Sequence, residues 1–122
     1  MRKMLDDAKP IFLQIKEQLE DSILNGSIPI GERVPSTNEF AQHYKINPAT
    51  AGKGINQLVD EGILFKKRGV GMFVTETAQE ILLEKRKQQF FNAYIIPLKQ
   101  EATKLHIAEE EIIRMLKEEE QR

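Results

Sequence analysis

Cysteine is absent from the 122 residues, which removes disulfides, thiolate nucleophiles and thiol redox sensing. Histidine occurs only as His43 and His106, isolated from one another and without a carboxylate arrangement that indicates a site, so no transition-metal set is suggested. No apolar run approaches the roughly 20 residues that a membrane-spanning helix needs. Met1-Arg2-Lys3-Met4-Leu5-Asp6-Asp7 places acids where a signal peptide carries its apolar stretch. These absences predict a cytoplasmic protein with no membrane partner. Also missing are a nucleophile constellation and a phosphate-cradling loop. The acids Glu109, Glu110 and Glu111 gather where a helix is expected to begin, and there they complement the helix dipole better than they form a metal or catalytic cluster. The expectation is a protein with no enzymatic activity, no cofactor and no metal.

An overall excess of positive charge is lacking too, for the formal net charge is −1. Its distribution is uneven. From His43 to Thr75 there are five cations, Lys45, Lys53, Lys66, Lys67 and Arg68, against Asp60 and Glu61. From Glu76 to Arg122, eight cations face ten acids. The basic character is therefore concentrated in the middle of the chain, and local phosphate neutralisation remains available despite the sum.

What is present suits a soluble globular chain: 40% apolar and 30% charged residues, enough for one good core, or for a small domain with an attached element. Pro10 followed by Phe12, Ile15, Leu19 and Ile23 at helical spacing predicts a first helix over 10–24, with Asn25-Gly26 as its stop. Glu32-Arg33-Val34 suggests a short strand, which Pro35 ends. Ser36-Thr37-Asn38-Glu39 is a capping box for a second helix that ends near Tyr44. Asn47 as N-cap and Pro48 at the first helical position predict a third helix, with Ala51, Ile55, Leu58 and Val59 on its apolar face. Its opposite face carries Ala49, Thr50, Lys53 and Gln57. Beyond Gly62, Ile63-Leu64-Phe65 and Met72-Phe73-Val74 read as strands around the turn Arg68-Gly69-Val70-Gly71.

Helix, turn, helix and basic hairpin in this order outline a winged helix-turn-helix, a DNA-reading module. The expected fold is mainly α with a small β-hairpin, the module occupying 1–75 and a short two-helix hairpin 76–122. The third helix would enter the major groove. Asn47, Ala49, Thr50 and Lys53 stand near its start, where such proteins meet base edges and phosphates, although Asn47 serves equally well as a cap. Ser36 can cap its own helix and also meet phosphate. Lys66, Lys67 and Arg68, beside Gly69 and Gly71, fit a wing that enters the minor groove or follows phosphate.

Thr77 and Glu80 suggest a further capping box, opening a long helix from about 78 to 105 that Pro97 kinks or interrupts. A last helix over 109–119 is expected to bury Ile112, Ile113 and Leu116. Phe90, Phe91, Tyr94, Ile95 and Leu98 are too dense for one face of a small tail, and dimerisation is the simplest way to cover them.

The segments Pro10-Ile11-Phe12-Leu13-Gln14-Ile15, Gly31-Glu32-Arg33-Val34-Pro35-Ser36, Asn47-Pro48-Ala49-Thr50, Leu58-Val59-Asp60-Glu61-Gly62 and Arg68-Gly69-Val70-Gly71-Met72-Phe73-Val74 together resemble the GntR family of bacterial transcription regulators, in particular its short YtrA-like branch. The resemblance implies operator binding as a homodimer, usually repression, and a two-helix dimerisation tail. Members of this branch are often associated with membrane-transporter genes, which makes such genes a target class to test. The sequence departs from the family pattern at Asn38, where many members carry arginine, and at Gly52 and Gly54, where many carry larger residues. The two glycines would let the third helix approach the DNA backbone closely. The expected partner is thus double-stranded operator DNA, read by a homodimer whose effector the sequence does not name. The rival reading is a winged-helix protein-interaction module without specific DNA readout, since a fold does not fix function.

Overall fold

The computed structural model describes Leu5 and residues 8–118. By packing, the chain divides into two compact units, Met1–Glu84 and Lys85–Arg122.

In the first unit, helix α1 (Ile11–Leu24) carries Ile15, Leu19 and Ile23, all essentially without solvent exposure. Pro10 acts as its N-cap, one position earlier than expected, and its carbonyl accepts from the amides of Leu13 and Gln14. Burial of α1 extends beyond the apolar stripe to Gln14, Lys16, Gln18, Glu20 and Ser22. Lys16 donates to Gln57 at 3.0 Å and pairs with Glu61, and the Tyr44 hydroxyl donates to Gln18. Among the described residues, no buried side-chain polar atom lacks a partner, as low-dielectric surroundings require.

Helix α2 (Thr37–Tyr44) starts at the expected capping box, with the Ser36 hydroxyl accepting from the Glu39 amide and the Glu39 carboxylate from the Ser36 amide. It ends at Lys45, whose φ of 56° turns the chain toward α3 (Pro48–Asp60). Asn47 caps α3 by accepting from the Ala49 amide at 2.8 Å. Strands β1 (Leu64–Lys67) and β2 (Gly71–Val74) pair antiparallel, from Leu64 opposite Val74 to Lys67 opposite Gly71. The anticipated strand at Glu32–Val34 is reduced to a single bridge, Arg33 to Phe73. Flanking bonds nevertheless lay this segment along β2: Val34 N–H to Met72 O at 2.9 Å and Val74 N–H to Glu32 O at 3.0 Å.

One core joins these elements: Ile15, Leu19 and Ile23 of α1, Val34, Phe40 of α2, Ala51, Ile55 and Leu58 of α3, and Ile63, Leu64 and Val74 around the hairpin. Helix α4 (Ala78–Phe90) adds Ala78 and Leu82 to the same core before continuing into the second unit.

In the second unit the helical path does not remain α-helical to Leu105. A π turn over Phe91–Ile95 separates α4 from α5 (Ile96–Lys104), with the Ile96 amide donating to Phe91 O. Pro97 has no amide to offer an α-helical acceptor, and the interruption of the ladder immediately precedes it. After a turn at His106, which has φ 56°, α6 (Glu109–Lys117) closes the tail. Glu119, the expected end of this helix, lies outside the described residues.

The anticipated burial of α6 is overturned within the single chain. Ile113 is exposed, Leu116 is 75% exposed, and Ile112 is only partly covered. Phe90, Phe91, Tyr94 and Leu98 are exposed as well, and Ile95 is partly so. The physical reason is shortage of material: α5 and α6 flank an apolar cleft of about 320 Å³, lined by Leu98, Ala102, Leu105, Ile107, Ile112, Met115 and Leu116 with Glu101 at its edge, and neither helix can cover the other's apolar side completely.

Candidate nucleic-acid interface

Helix α3 is positioned by what lies behind it. Ala51, Gly54, Ile55 and Leu58 are buried, which turns the opposite stripe outward. That stripe contains Ala49, Lys53 and Asn56, all exposed, with half-buried Gly52 between them. Asp60 continues it at the C-terminal end, away from the first turns that helix-turn-helix proteins direct at bases. Thr50 lies at the edge of the stripe and is half-buried. Asn47 is exposed, but its side-chain oxygen is engaged by the cap. The Lys53 ammonium rests 4.1 Å from the centre of the Phe12 ring of α1, a cation–π contact that steadies a solvent-facing charge.

The two glycines of α3 have different surroundings. A Cβ on Gly54 would come 2.5 Å from the Phe12 carbonyl oxygen, so Gly54 permits close approach of α1 and not of DNA. A Cβ on Gly52 would make ordinary contact at 3.5 Å with the Thr37 methyl group, at the start of α2. The expectation that both glycines admit the DNA backbone is therefore corrected for Gly54, whose missing side chain is used by the core.

The hairpin presents Lys66, Lys67 and Arg68 to solvent, as expected of a wing. Phe65 and Phe73 stack at 5.7 Å across the strands, and the Lys67 ammonium lies 5.2 Å from the Phe73 ring. Gly69 at φ 75° and Gly71 at φ 143° take backbone conformations that side chains disfavour, and the turn is correspondingly tight.

The start of α2 neighbours α3 and is linked through Arg33 to the wing. Thr37 is the neighbour of Gly52, Ser36 is half-buried, and Glu39 is exposed. Hydrogen bonds from the Ser36 amide and hydroxyl hold the Glu39 carboxyl below its ordinary value of 4.5, with a smaller contribution from the Arg33 cation. Arg33 itself reaches the wing, its Nε donating to Val70 O at 3.3 Å. A path of named contacts thus links α3, the N-terminus of α2 and the wing turn.

Residues 12–74, which contain every element of this surface, match the sequence family of bacterial regulatory proteins called gntR. The chain belongs to the gntR family. Two Bacillus subtilis repressors of the helix-turn-helix type, NagR and YtrA, are each 36% identical to it over 75 residues, or 62% of this chain. That match spans 31% of NagR and 58% of YtrA, so it covers only part of either relative. A GntR family transcriptional regulator from Listeria monocytogenes is similar in structure across both units, with a TM-score of 0.78, 30% identity, and coverage of 95% of this chain and 100% of that one.

Within the gntR module, two exposed residues escape a reading from sequence. Asn56 lies seven residues after Ala49, two helical turns on, and a helical wheel centred on the buried residues puts it, and not Gln57, on the outward stripe. Gln57 is half-buried and accepts from Lys16. Arg33 has no local signal at all, because its partners Glu39 and Val70 stand six and 37 residues away.

Proposed function

We propose that this gntR family member is a homodimeric repressor that binds an inverted-repeat operator. The observation that carries the reading is the joint presentation, by one compact winged-helix unit, of an outward α3 stripe (Ala49, Gly52, Lys53, Asn56) and a cationic wing turn (Lys66, Lys67, Arg68). On this reading α3 lies in the major groove, with Ala49, Thr50 and Lys53 toward bases and nearby phosphates, Asn47 at its start, and Ser36 offering the N-terminus of α2 to phosphate. The wing follows the backbone, and Gly69 and Gly71 keep its turn narrow. Lysine supplies point charge, whereas Arg68 can form a fork to phosphate or enter a narrow minor groove.

The tail supports the dimer. Phe90, Phe91, Tyr94, Leu98, Ile113 and Leu116 leave a large apolar surface without a partner in the single chain, and a second copy is the occupant consistent with the repressor reading. Two reading helices would then address successive major grooves, about 34 Å apart. Repression follows from occupancy of a promoter, with no chemical step.

Selection of bound sequences from a random duplex library tests the proposal. Enrichment of a two-fold-related site, bound with steep salt dependence, is the expected outcome. A folded dimer that enriches nothing would shift the function to protein docking. Replacement of Lys66, Lys67 and Arg68 together by alanine should weaken binding to all duplexes and flatten the salt dependence, since counterion release scales with phosphates neutralised.

A further inference from the structure

The Arg33 side chain lies against the wing turn and reaches two elements at once. Its Nε donates to Val70 O at 3.3 Å, and its terminal nitrogen stands 3.7 Å from a Glu39 carboxylate oxygen. That oxygen also accepts from the Ser36 amide at 2.7 Å, within the capping box of α2. The arginine stem covers Gly71, where an added Cβ would come 2.7 Å from Nε and 3.4 Å from Cδ. The backbone beneath is fixed by the bridge to Phe73.

This placement is more than local stabilisation requires. The Arg33 side chain is 47% exposed and that of Glu39 57% exposed, and so open a pair at 3.7 Å contributes little to folding. A guanidinium offers five donors in a planar fork and matches a phosphate better than a single loose carboxylate contact. It also stands between the two elements proposed to meet the DNA backbone, the N-terminus of α2 and the wing turn.

We propose that Arg33 is a phosphate-contacting residue that also positions the wing, with Glu39 as an internal counter-ion that a DNA phosphate displaces. This inference rests on the DNA-reading function proposed above. In the free protein Glu39 keeps the guanidinium near the wing carbonyl. On DNA the fork turns to phosphate, while Glu39 stays in its cap with Ser36, so that α2 does not loosen when the pair opens.

The test is an anisotropy titration of the full chain over a series of salt concentrations, with a duplex recovered from the random-library selection and a mixed-sequence duplex as probes. Arg33→Ala should weaken binding to both by about tenfold, as for loss of one charge-assisted hydrogen bond. It should also lower the slope of log affinity against log salt by about 0.9, one phosphate's worth. Arg33→Lys should restore the slope but only part of the affinity, because an ammonium cannot hold the wing carbonyl and a phosphate in one plane. Glu39→Gln keeps an acceptor for the Ser36 amide, and should tighten binding several-fold in the Arg33 protein but not in the Arg33→Ala background.

Unchanged affinity and slope in Arg33→Ala would overturn the inference, as would an equal gain from Glu39→Gln in both backgrounds, which is simple charge repulsion. If Arg33→Ala loses its thermal transition, Arg33→Lys and Glu39→Gln decide alone, and absence of tightening in the latter overturns the proposal. Failure of the unmodified protein to bind either duplex would instead remove the DNA-reading function itself.

Discussion

Lys45 closes α2 with φ 56°, a conformation in which its Cβ crowds the backbone and glycine would not. Lys45→Gly should therefore stabilise the fold by about 0.5 to 1 kcal/mol, the relief of strain being partly offset by the larger entropy of the unfolded glycine chain. Lys45→Val should destabilise it, because a β-branched side chain fits that region worst. Urea titrations of the two variants beside the parent protein check both signs. Glu39 makes a second prediction at this scale. Its carboxyl is held below its ordinary value of 4.5 by the Ser36 hydrogen bonds, so its contribution to stability is present above that value and lost as the pH falls through the lower, folded value. Glu39→Gln, which cannot ionise, should be less stable than the parent near neutral pH, and the gap should close as acid is added. Urea midpoints measured against pH give the result, and a gap that stays constant down the acid limb would show that charge on Glu39 is not what stabilises the cap.

At the scale of elements, α3 separates two glycines that look alike in sequence. Gly52→Ala places a methyl group in ordinary contact with Thr37, and should gain up to about 1 kcal/mol from helix propensity. Gly54→Ala drives a methyl group to 2.5 Å from the Phe12 carbonyl oxygen, and should cost about 1 to 3 kcal/mol as α1 is pushed away. Opposite shifts in thermal midpoint are expected, and a stabilised Gly54→Ala would mean that α1 is free to yield. The same pair of residues shows what could be read in advance. Capping at Ser36 and Asn47, the end of α2 near Tyr44 and the hairpin around Gly69 and Gly71 depend on neighbours within a few positions, and they are legible in the sequence; the left-handed turn at Lys45 is not. The role of Gly54 depends on a carbonyl 42 positions away, that of Arg33 on a wing carbonyl 37 positions away, and neither leaves a local pattern. Asn56 falls between these cases: the apolar periodicity of α3 contains its position, but only a stripe centred on residues known to be buried shows that Asn56, and not Gln57, faces outward. Burial around most of α1 was hidden for a related reason, since Lys16 and Glu20 look like solvent residues until their surroundings are seen.

For the whole molecule, the contrast between the two units is decisive. The first has a continuous core from Ile15 to Leu82, and the second leaves Tyr94 65% exposed and Leu116 75% exposed. If a second copy covers this surface, Leu116→Glu should raise the dissociation constant of the dimer at least tenfold, roughly the cost of placing a carboxylate in an apolar contact. The thermal transition of the first unit should be little changed, because Leu116 contributes nothing to that core. Sedimentation over a range of concentrations checks the assembly. A mass unaffected by Leu116→Glu would place the contact between copies elsewhere. Loss of operator affinity in step with loss of the dimer would show that the two reading units act together, and unchanged affinity that each acts alone.

The π turn at Phe91–Ile95 adds a mechanical property to this tail. A π turn holds one residue more than the α turn it replaces. Deleting one residue there, Asn92 for instance, would let the α ladder close with little rotation or shift of the helix after Ile96 relative to residues 85–90, because the steps from Phe91 to Ile96 in the π turn cover about the same rotation and rise as one step fewer in an α-helix. No apolar side chain would be lost and the cleft between α5 and α6 would keep its direction, whereas one residue taken from the regular α ladder of residues 85–90 would turn it by about 100° relative to the helix before it. The π turn is in this sense a slack link: a one-codon deletion there would take up the slack and leave the adhesive surface beyond it aimed as before.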